Sequence, residues 1–447
     1  MKTLIGIVLI NFLIIVSGFS QSIDTAFFPQ FQAYPGNPVI KFGDGFADAA
    51  WNDPTVMKEN GQYVMYASAS TGISVIKVKI YRMISPDGYS WTLSPQTPVV
   101  QPDSGTYYGG GTETPSVVFF NGEYHMYLTV YPGPYNAVQD FTIGHAISPD
   151  GISWLMDTSA VLESSGSPGW MADVVGEPGA IVYHDSLYLF YTAGGVQNGS
   201  SVQSIGLIAS SDGTNFGTAM QVVTRPDDVY PASDNWYGLS TPSALVINDS
   251  IYLFTDVAQI INGGWTQVAL HQFKSYGNLN KWYHSSIPVH TKDDFSWTNG
   301  NYLSEIRSIT PLMDDNGRLR IWYAGNHLAD ISGTDTTYHI LVDSTGLHVD
   351  PDFWGIGTSE YQFPGITSIS ENSRNDGTII VCPNPASEYI NIKNSEIEKW
   401  TIINSLGEIM CHQLISNKKV DVSSFPDGIY FLISNASVSN QRFVILH

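Results

Sequence analysis

Cysteine is nearly missing from this chain: 447 residues carry two, Cys382 and Cys411, both near the C-terminal end. Everything before Cys382 must be held by a packed core and not by disulfides, even in a compartment that would allow them. Positive charge is scarce as well. The 19 Lys and Arg stand against 41 Asp and Glu, a formal net charge of -22, so the Coulomb term that draws proteins to nucleic acid is repulsive here. Polyanionic polysaccharides are disfavoured for the same reason, unless a local basic pocket overrides it. Beyond the N-terminal twenty residues, no stretch approaches the roughly 20 unbroken apolar residues of a spanning helix, so a mature chain without a membrane span is expected. The histidines show no HExxH or other tight metal spacing, and the main body offers no cysteine, so nothing specifies a metal or a cofactor.

What is present is apolar content, 43% of the residues, enough for a sizeable core in two or three domains. Residues 1–20, "MKTLIGIVLINFLIIVSGFS", carry Lys2, an apolar run from Leu4 to Val16 and small residues at Gly18 and Ser20. They read as a secretory signal peptide, too short and wrongly flanked for a membrane span.

Five copies of one phrase then follow. Set on Pro54, Pro115, Pro178, Pro242 and Pro311, they are "NDPTVMKENGQYVMYAS", "ETPSVVFFNGEYHMYLT", "GEPGAIVYHDSLYLFYT", "STPSALVINDSIYLFTD" and "ITPLMDDNGRLRIWYAG", at intervals of 61, 63, 64 and 69 residues. Each is a strand, a two-residue turn signal and a second alternating strand, which is the mark of a hairpin. A second turn comes later in each copy: "SPDGYSW", "SPDGISW", "SSDGTNF", then the looser "SYGNLNKW" and "DSTGLHV". Two turns per repeat imply four strands. Five such units predict an all-β fold, a five-bladed β-propeller over residues 26–354. The "SPDGxSW" turns resemble the Asp-box of sialidases with one residue fewer between Asp and Gly, and they are read as hairpin turns with an aromatic anchor.

In a propeller the innermost strands all start at one end of the central channel, so equivalent positions converge on one funnel. The residues before the five prolines are Asp53, Thr114, Glu177, Thr241 and Thr310, with Glu113 and Ser240 one step earlier. Three are neutral threonines, suited to hydrogen bonding at a strand start. Asp53 and Glu177 depart from that pattern, and a carboxylate in such a place costs desolvation, which points to a task. Two carboxylates across an enclosed funnel suit glycoside hydrolysis, one donating a proton to the leaving oxygen while the other activates water or attacks the anomeric carbon. A third, Glu113, can raise the pKa of the acid by like-charge repulsion. The alternative is that these acids bind turns or neighbouring backbone amides.

"WNDPTV", "ETPSVVFFNGEYHMYLT" and "GEPGAIVYHDSLYLFYT" resemble the blade openings of the five-bladed glycoside hydrolases of families 43 and 32, over roughly Phe27 to Trp354. The resemblance implies that Asp53 is the general base of an inverting enzyme or the nucleophile of a retaining one, that Glu177 is the general acid, and that Glu113 tunes it and orients the sugar. Two departures stand against that pattern. Blade two has Glu113-Thr114-Pro115 where an Asp before the Pro is usual, and Glu177 adjoins Pro178 where family 43 commonly has a residue between. Asp173, in "WMADVVGEPG", is a reserve carboxylate. The same resemblance implies a sugar-facing Arg307, in "EIRSITP", with a salt bridge to Glu305 as the alternative. Trp51, Trp170, Trp236 and Trp265 are candidates for stacking on sugar faces, or else for packing between blades.

From Gly355 the texture turns polar and Gly/Ser-rich, and residues 355–378 read as a linker. Residues 379–447 contain short alternating strands and turns, a small β-sandwich. "PNP", the turn at Gly407, "GIY" at Gly428 to Tyr430 and a terminal apolar strand resemble the type A C-terminal sorting domain of the type IX secretion system of Bacteroidetes. That implies a secreted or cell-surface protein, exported through periplasm and outer membrane, with the secretion machinery as partner of the tail; a carbohydrate partner and a monomer are expected besides. A carbohydrate-binding module is the rival reading of the tail. For the whole chain, a secreted glycosidase acting on a plant or algal polysaccharide or its oligosaccharides is the expected function. The alternatives are a non-catalytic glycan-binding propeller, a phosphorolytic enzyme, for which Arg307, Arg82 and Arg225 are a meagre phosphate site, and a sialidase, which suffers the same shortage.

Overall fold

A computed structural model describes residues 27–361, apart from 29, 47–48, 71–77, 134–140, 198, 248, 262–263, 300–303, 315–316, 327–339, 344–345 and 350–353. It also describes 380–445, apart from 383–385, 394–398, 405–408, 415–418 and 435–439. The expected signal peptide, the "PNP" motif, the turn at Gly407 and residues 362–379 lie outside the described residues. Among the described residues no helix is long and apolar enough to cross a membrane.

The main body is a five-bladed β-propeller followed by a β-rich C-terminal unit. Blade one is Ala50–Glu59, Gln62–Ser70, Lys79–Ser85 and Thr92–Leu93. Blade two begins with Gly111–Phe120 and Glu123–Tyr131, blade three with Val174–Tyr183 and Ser186–Gln197, and blade four with Trp236–Ile247 and Ser250–Ile261. In each, the first strand is innermost, and the inner strand of every blade lies beside that of the next. Blade five, Ile306–Met313, Leu319–Gly325 and Gly355–Tyr361, is completed by Gln32–Ala33 from the start of the described chain. Strands from both ends therefore close the ring. The sequence read Gly355 as the opening of a linker, and here the structure differs: Gly355–Tyr361 is a central strand of blade five. Its small polar residues are buried and bonded, Thr358 Oγ1 to the Ile321 carbonyl at 2.9 Å and Ser359 Oγ to His290 Nε2 at 2.9 Å.

The hairpin turns follow the turn chemistry read from sequence. Asn60-Gly61, Asn121-Gly122 and His184-Asp185 each have two residues of positive φ, the geometry that matches strand twist in a two-residue loop. The later turns hold neighbouring blades together. In the first three, the Asp carboxylate gathers backbone amides while the Gly carbonyl accepts a hydroxyl or indole N–H from the preceding blade: Tyr66 to Gly151 at 2.7 Å, Tyr127 to Gly213 at 2.5 Å and Trp322 to Gly88 at 3.0 Å. The anchor aromatics pack edge-on against the same rings, Trp154 on Tyr66, Phe216 on Tyr127 and Trp91 on Trp322. Blade four has the looser turn, and there Trp282 meets Phe190, which has no hydroxyl to satisfy. "DSTGLHV" is not a blade turn: it joins Ile340–Asp343 to Gly346–Val349, a separate two-stranded hairpin inserted before the third strand of blade five.

The C-terminal unit packs two sheets face to face. One contains Ile380–Cys382, Tyr389–Lys393 and Lys419–Asp421, the other Lys399–Asn404, Ile409–Leu414, Gly428–Ser434 and Asn440–Ile445. Ile390 and Val420 of the first meet Ile402, Leu432 and Phe443 of the second in one buried cluster. Cys382 and Cys411 fall in different sheets.

Candidate active site

Each inner strand loses register with its neighbour at one equivalent place, between Asn52 and Thr55, Glu113 and Ser116, Gly176 and Gly179, Ser240 and Ser243, and Arg307 and Thr310, and the strand of blade four does so a second time, between Trp236 and Gly238. Such a bulge bends the strand and re-aims a side chain. At each equivalent place sits a left-handed residue: Asp53, Thr114, Glu177, Thr241 and Ser308, with φ of 50, 49, 49, 43 and 55°. For residues other than glycine this conformation costs of the order of 1–3 kcal/mol. The threonines share it, so the strain belongs to the repeat and does not by itself mark a catalyst. Its effect is to bring all five side chains to one cavity on the propeller axis.

Blade five corrects the alignment on prolines. The residue equivalent to Asp53 is Ser308, not Thr310, and Ile309 stands where the other blades have proline. Pro311 lies two residues beyond the proline position of the other blades, because the bulge and not the proline sets the register. Thr310 corresponds to Thr55, and its Oγ1 accepts the Val56 N–H at 3.3 Å.

At four of the five bulges the freed amide is taken up by the second strand of the preceding blade. Thr114 N–H donates to Ser68 Oγ at 2.9 Å, Glu177 N–H to Thr129 Oγ1 at 2.7 Å, Thr241 N–H to Thr192 Oγ1 at 2.9 Å, and Ser308 N–H to Asp256 Oδ2 at 3.3 Å. Blade five has Ala324 at this position, opposite Arg307, and the Asp53 amide bonds Asn52 Oδ1 instead, at 3.0 Å. Asp256 is thus a carboxylate in a place where the other acceptors are hydroxyls. It is fully buried, and it accepts hydrogen bonds from the hydroxyls of Ser240 and Thr241. The sequence reading missed it. The signal was "FTD" standing where "YAS", "YLT" and "FYT" end the second strands of blades one to three.

Asp53 Oδ1 accepts the Ser308 hydroxyl at 2.6 Å, and Glu177 Oε2 accepts the Thr192 hydroxyl at 2.7 Å and the Thr241 amide at 3.3 Å. Asp53 Oδ2 and Glu177 Oε1 take no hydrogen bond among the described residues. Glu113 is one step off this register, and its carboxyl likewise makes none there. Arg307 stands 3.8 Å from Glu305, 3.5 Å from Asn52 Oδ1, and 4.5 Å above the ring of Trp354. The salt bridge and the site-facing reading of Arg307 are therefore compatible.

Five carboxyls and one guanidinium so close together, half-buried or fully buried, cannot all be charged at no cost. Burial is the largest cause in every shifted case. It pushes Glu113 up to about 8, with Asp53 and Glu177 adding and Arg307 opposing. Glu177 is pushed up to about 7, with Asp256 the next cause and the Thr192 hydroxyl and Arg307 opposing. Glu305 reaches about 7, with Arg307 opposing and Asp256 adding. Asp256 is raised by burial against the hydroxyls of Ser240 and Thr241. Near neutral pH the axis can therefore offer protons as well as accept them.

The tryptophans divide differently from expectation. Trp51 is fully buried between sheets, packed on Phe46 and Tyr81, its indole N–H bonded to the Asp44 carbonyl at 2.9 Å, so it has no face for a sugar. Trp170 and Trp236 are half-buried, against Tyr191 and Tyr230. Trp265 is 61% exposed, stacked on Tyr237. Asp173 lies before the inner strand of blade three, exposed, and its charge helps to raise the buried Tyr237 phenol. Away from the axis, Arg82 pairs with Glu59 and Arg225 with Asp227.

Residues 380–446 match the family model described as the secretion system C-terminal sorting domain. That tail addresses the chain for export by the type IX system, to the cell surface or beyond. No curated protein matches the sequence. Among solved structures, one described as a glycoside hydrolase is 13% identical with a TM-score of 0.54, over 78% of this chain and 95% of that one. A glycosyl hydrolase from Bacteroides ovatus is 14% identical with a TM-score of 0.53, over 74% and 94%. An α-L-arabinofuranosidase from Lactobacillus brevis is 12% identical with a TM-score of 0.50, over 72% and 92%. At these identities the likeness establishes the fold alone: this chain and those structures share one propeller architecture.

Proposed function

We propose that the protein is a secreted glycoside hydrolase that cleaves a plant or algal polysaccharide or its oligosaccharides at the propeller axis. The observation that carries this is the pair Asp53 and Glu177. They stand at equivalent bulges of blades one and three, face one cavity, and each has one oxygen fixed by a hydroxyl and the other without a bond among the described residues. Fixing one oxygen orients a carboxyl without neutralising it, which is what a positioned acid or base needs. Glu177, held protonated near neutrality by burial and by Asp256, gives its proton to the leaving glycosidic oxygen. Asp53 either takes a proton from a water that attacks the anomeric carbon, or attacks that carbon itself and is released by water in a second step. Glu113, pushed up further still by burial and by Asp53, stays protonated beside the pair and orients the sugar, and Arg307, stacked over Trp354, donates to sugar hydroxyls.

Phosphorolysis is disfavoured by the same cluster, because a phosphate dianion would meet several carboxyls and one guanidinium on the axis. A glycan-binding propeller without catalysis is the second reading. The bonds of Glu177 to Thr192 and Thr241 favour it, since they resemble the structural role of the threonine hydroxyls in other blades. A panel of arabinan, xylan, fructan, agar and their oligosaccharides, read by released reducing ends, tests the proposal. Hydrolysis by the wild type, lost in Asp53→Asn and in Glu177→Gln, is expected. Full activity in both variants would refute the site, and tight binding with no product over days would favour the second reading.

A further inference from the structure

Blades three and four are joined at the rim above the axis. Gln203, in the third strand of blade three (Ser200–Ser210), pairs in parallel with Gly238 at the start of blade four, and Ser201 Oγ lies 3.2 Å from the Tyr237 hydroxyl. Two blades thus form one continuous sheet, and their hairpins rise beyond the level of the carboxylates. In blade four, Ser240 pairs with Asp256 and Trp236 with Gln259, so the strands run upward from the ring, and Trp265 pairs with Ile260 near the hairpin tip. Ile260 lies four positions along the strand from Asp256, about 13 Å.

The top of this wall carries the large apolar groups that the core leaves out. Trp265 is 61% exposed, Val196 56% and Ile260 39%. Trp265 is not loose. One face rests on Tyr237, centroids 5.1 Å apart and planes 13° from parallel, and Tyr237 is itself buried and tied to Ser201. An indole backed in this way keeps its outer face open at low entropic cost on binding, as a preorganised platform does. Burial raises the Tyr237 phenol and the charge of Asp173 adds to it; Asp173 is exposed, its amide bonded to the Gly194 carbonyl at 3.0 Å, and it offers a hydrogen-bond acceptor on the blade three side of this wall. A flat apolar surface beside polar acceptors suits a sugar ring, whose faces are CH-rich and whose edge is hydroxyl.

We propose that Trp265 on Tyr237, with Asp173 and Ser201, is a second carbohydrate subsite, one that takes a distal unit of a neutral glycan chain whose scissile bond lies at the axis. The inference rests on the glycoside hydrolase reading of that axis. The glycan is neutral because a uronic acid would meet Asp173 and a chain of net charge -22. Its length follows from the wall, since a single ring does not span from the carboxylates to the indole. The substrate is therefore an extended chain and not a terminal sugar on a small leaving group.

Kinetics on a series of two to six units, cut from whichever polymer of the panel is hydrolysed, test this. Trp265→Ala should lower kcat/KM on the longest member by about ten- to hundredfold, mainly through KM, and leave the dimer within twofold, while Trp265→Phe keeps most of the activity. Equal losses on short and long members, or none on the long, would overturn the subsite while leaving the enzyme intact. If the wild type hydrolyses nothing in the panel, the catalytic reading fails separately, and affinity electrophoresis in gels cast with each neutral polymer decides the subsite. Retardation of wild type that Trp265→Ala abolishes supports it. Equal retardation, or none with any polymer, overturns it.

Discussion

The propeller carries two sets of repeated acids, one at the outer turns and one at the axis, and they live in opposite circumstances. At the outer turns Asp87, Asp150 and Asp212 each gather two backbone amides and nearby hydroxyls: Asp150 Oδ1 takes the N–H groups of Ile152 and Ser153 at 2.9 and 2.7 Å and the Ser148 hydroxyl at 3.0 Å. Their acidity is strengthened accordingly, and Asp150 falls to about 2. At the axis, Asp256 is buried and Glu113 and Glu177 are half-buried beside other acids, and the acidity of all three is weakened. Repetition of an acid therefore does not mark function. Both sets accept hydrogen bonds, and what separates them is whether the carboxylate stands in water at a turn or is enclosed beside other acids.

The largest effect expected from breaking this contrast is at the axis. Asp53→Asn and Glu177→Gln should each cost about a thousandfold or more in turnover, with the fold retained, because the amides and hydroxyls that hold them have neutral acceptors left.

The second expectation concerns pH. Glu113, Glu177 and Glu305 have folded-state pKa values of about 8, 7 and 7, above the ordinary glutamate value of 4.5. The folded protein binds more protons than the unfolded chain between these values, so their contribution to stability is complete below pH 4.5 and is lost as pH rises through 7 and 8. The outer-turn aspartates have the reverse sign, lending stability that disappears only in strong acid. Thermal melts should thus show a higher midpoint at about pH 5 than at about pH 8.5, by roughly 5–10 °C, and Glu113→Gln should narrow that gap. An unchanged gap would mean that the axis acids titrate normally.

At the outer turns the expected effects are on stability alone. Asp150→Asn should lower the melting midpoint by a few degrees and leave the rate untouched. Smallest is Tyr66→Phe, which removes the hydroxyl that blade one offers to the Gly151 carbonyl of blade two. About 1 kcal/mol, or roughly 2–4 °C, is expected. No shift in a calorimetric melt would mean that the edge-on packing of Trp154 does the holding.

Much of the fold was legible because its signals are local. Asn-Gly turns, alternating strands and the Asp-Gly corners repeat in sequence, and each specifies its own hairpin. What escaped depended on pairing at a distance. Gln32–Ala33 is two residues long and acquires meaning only beside Gly355–Tyr361, whose glycine, threonine and serine look like a linker until two neighbouring strands bury them. The proline alignment failed in blade five because Pro311 sits past the bulge. In the site, Asp53 and Glu177 were visible as departures from threonine in the inner strands. Asp256 departs in the same way from Ser68, Thr129 and Thr192, but in the second strands, and only the bonding of each bulge to its predecessor shows that both sets belong to one ring. Trp51 stood between sugar stacking and packing because composition does not say which side of a strand faces the axis, and its burial decides for packing.

The most direct test of the contrast between the axis and the outer turns is the rate of reducing-end release by Asp53→Asn set beside Asp150→Asn, at equal concentration on the same glycan near neutral pH. Asp53→Asn is expected to be inactive and Asp150→Asn to match the wild type. Comparable rates in the two variants would contradict the assignment of catalysis to the axis.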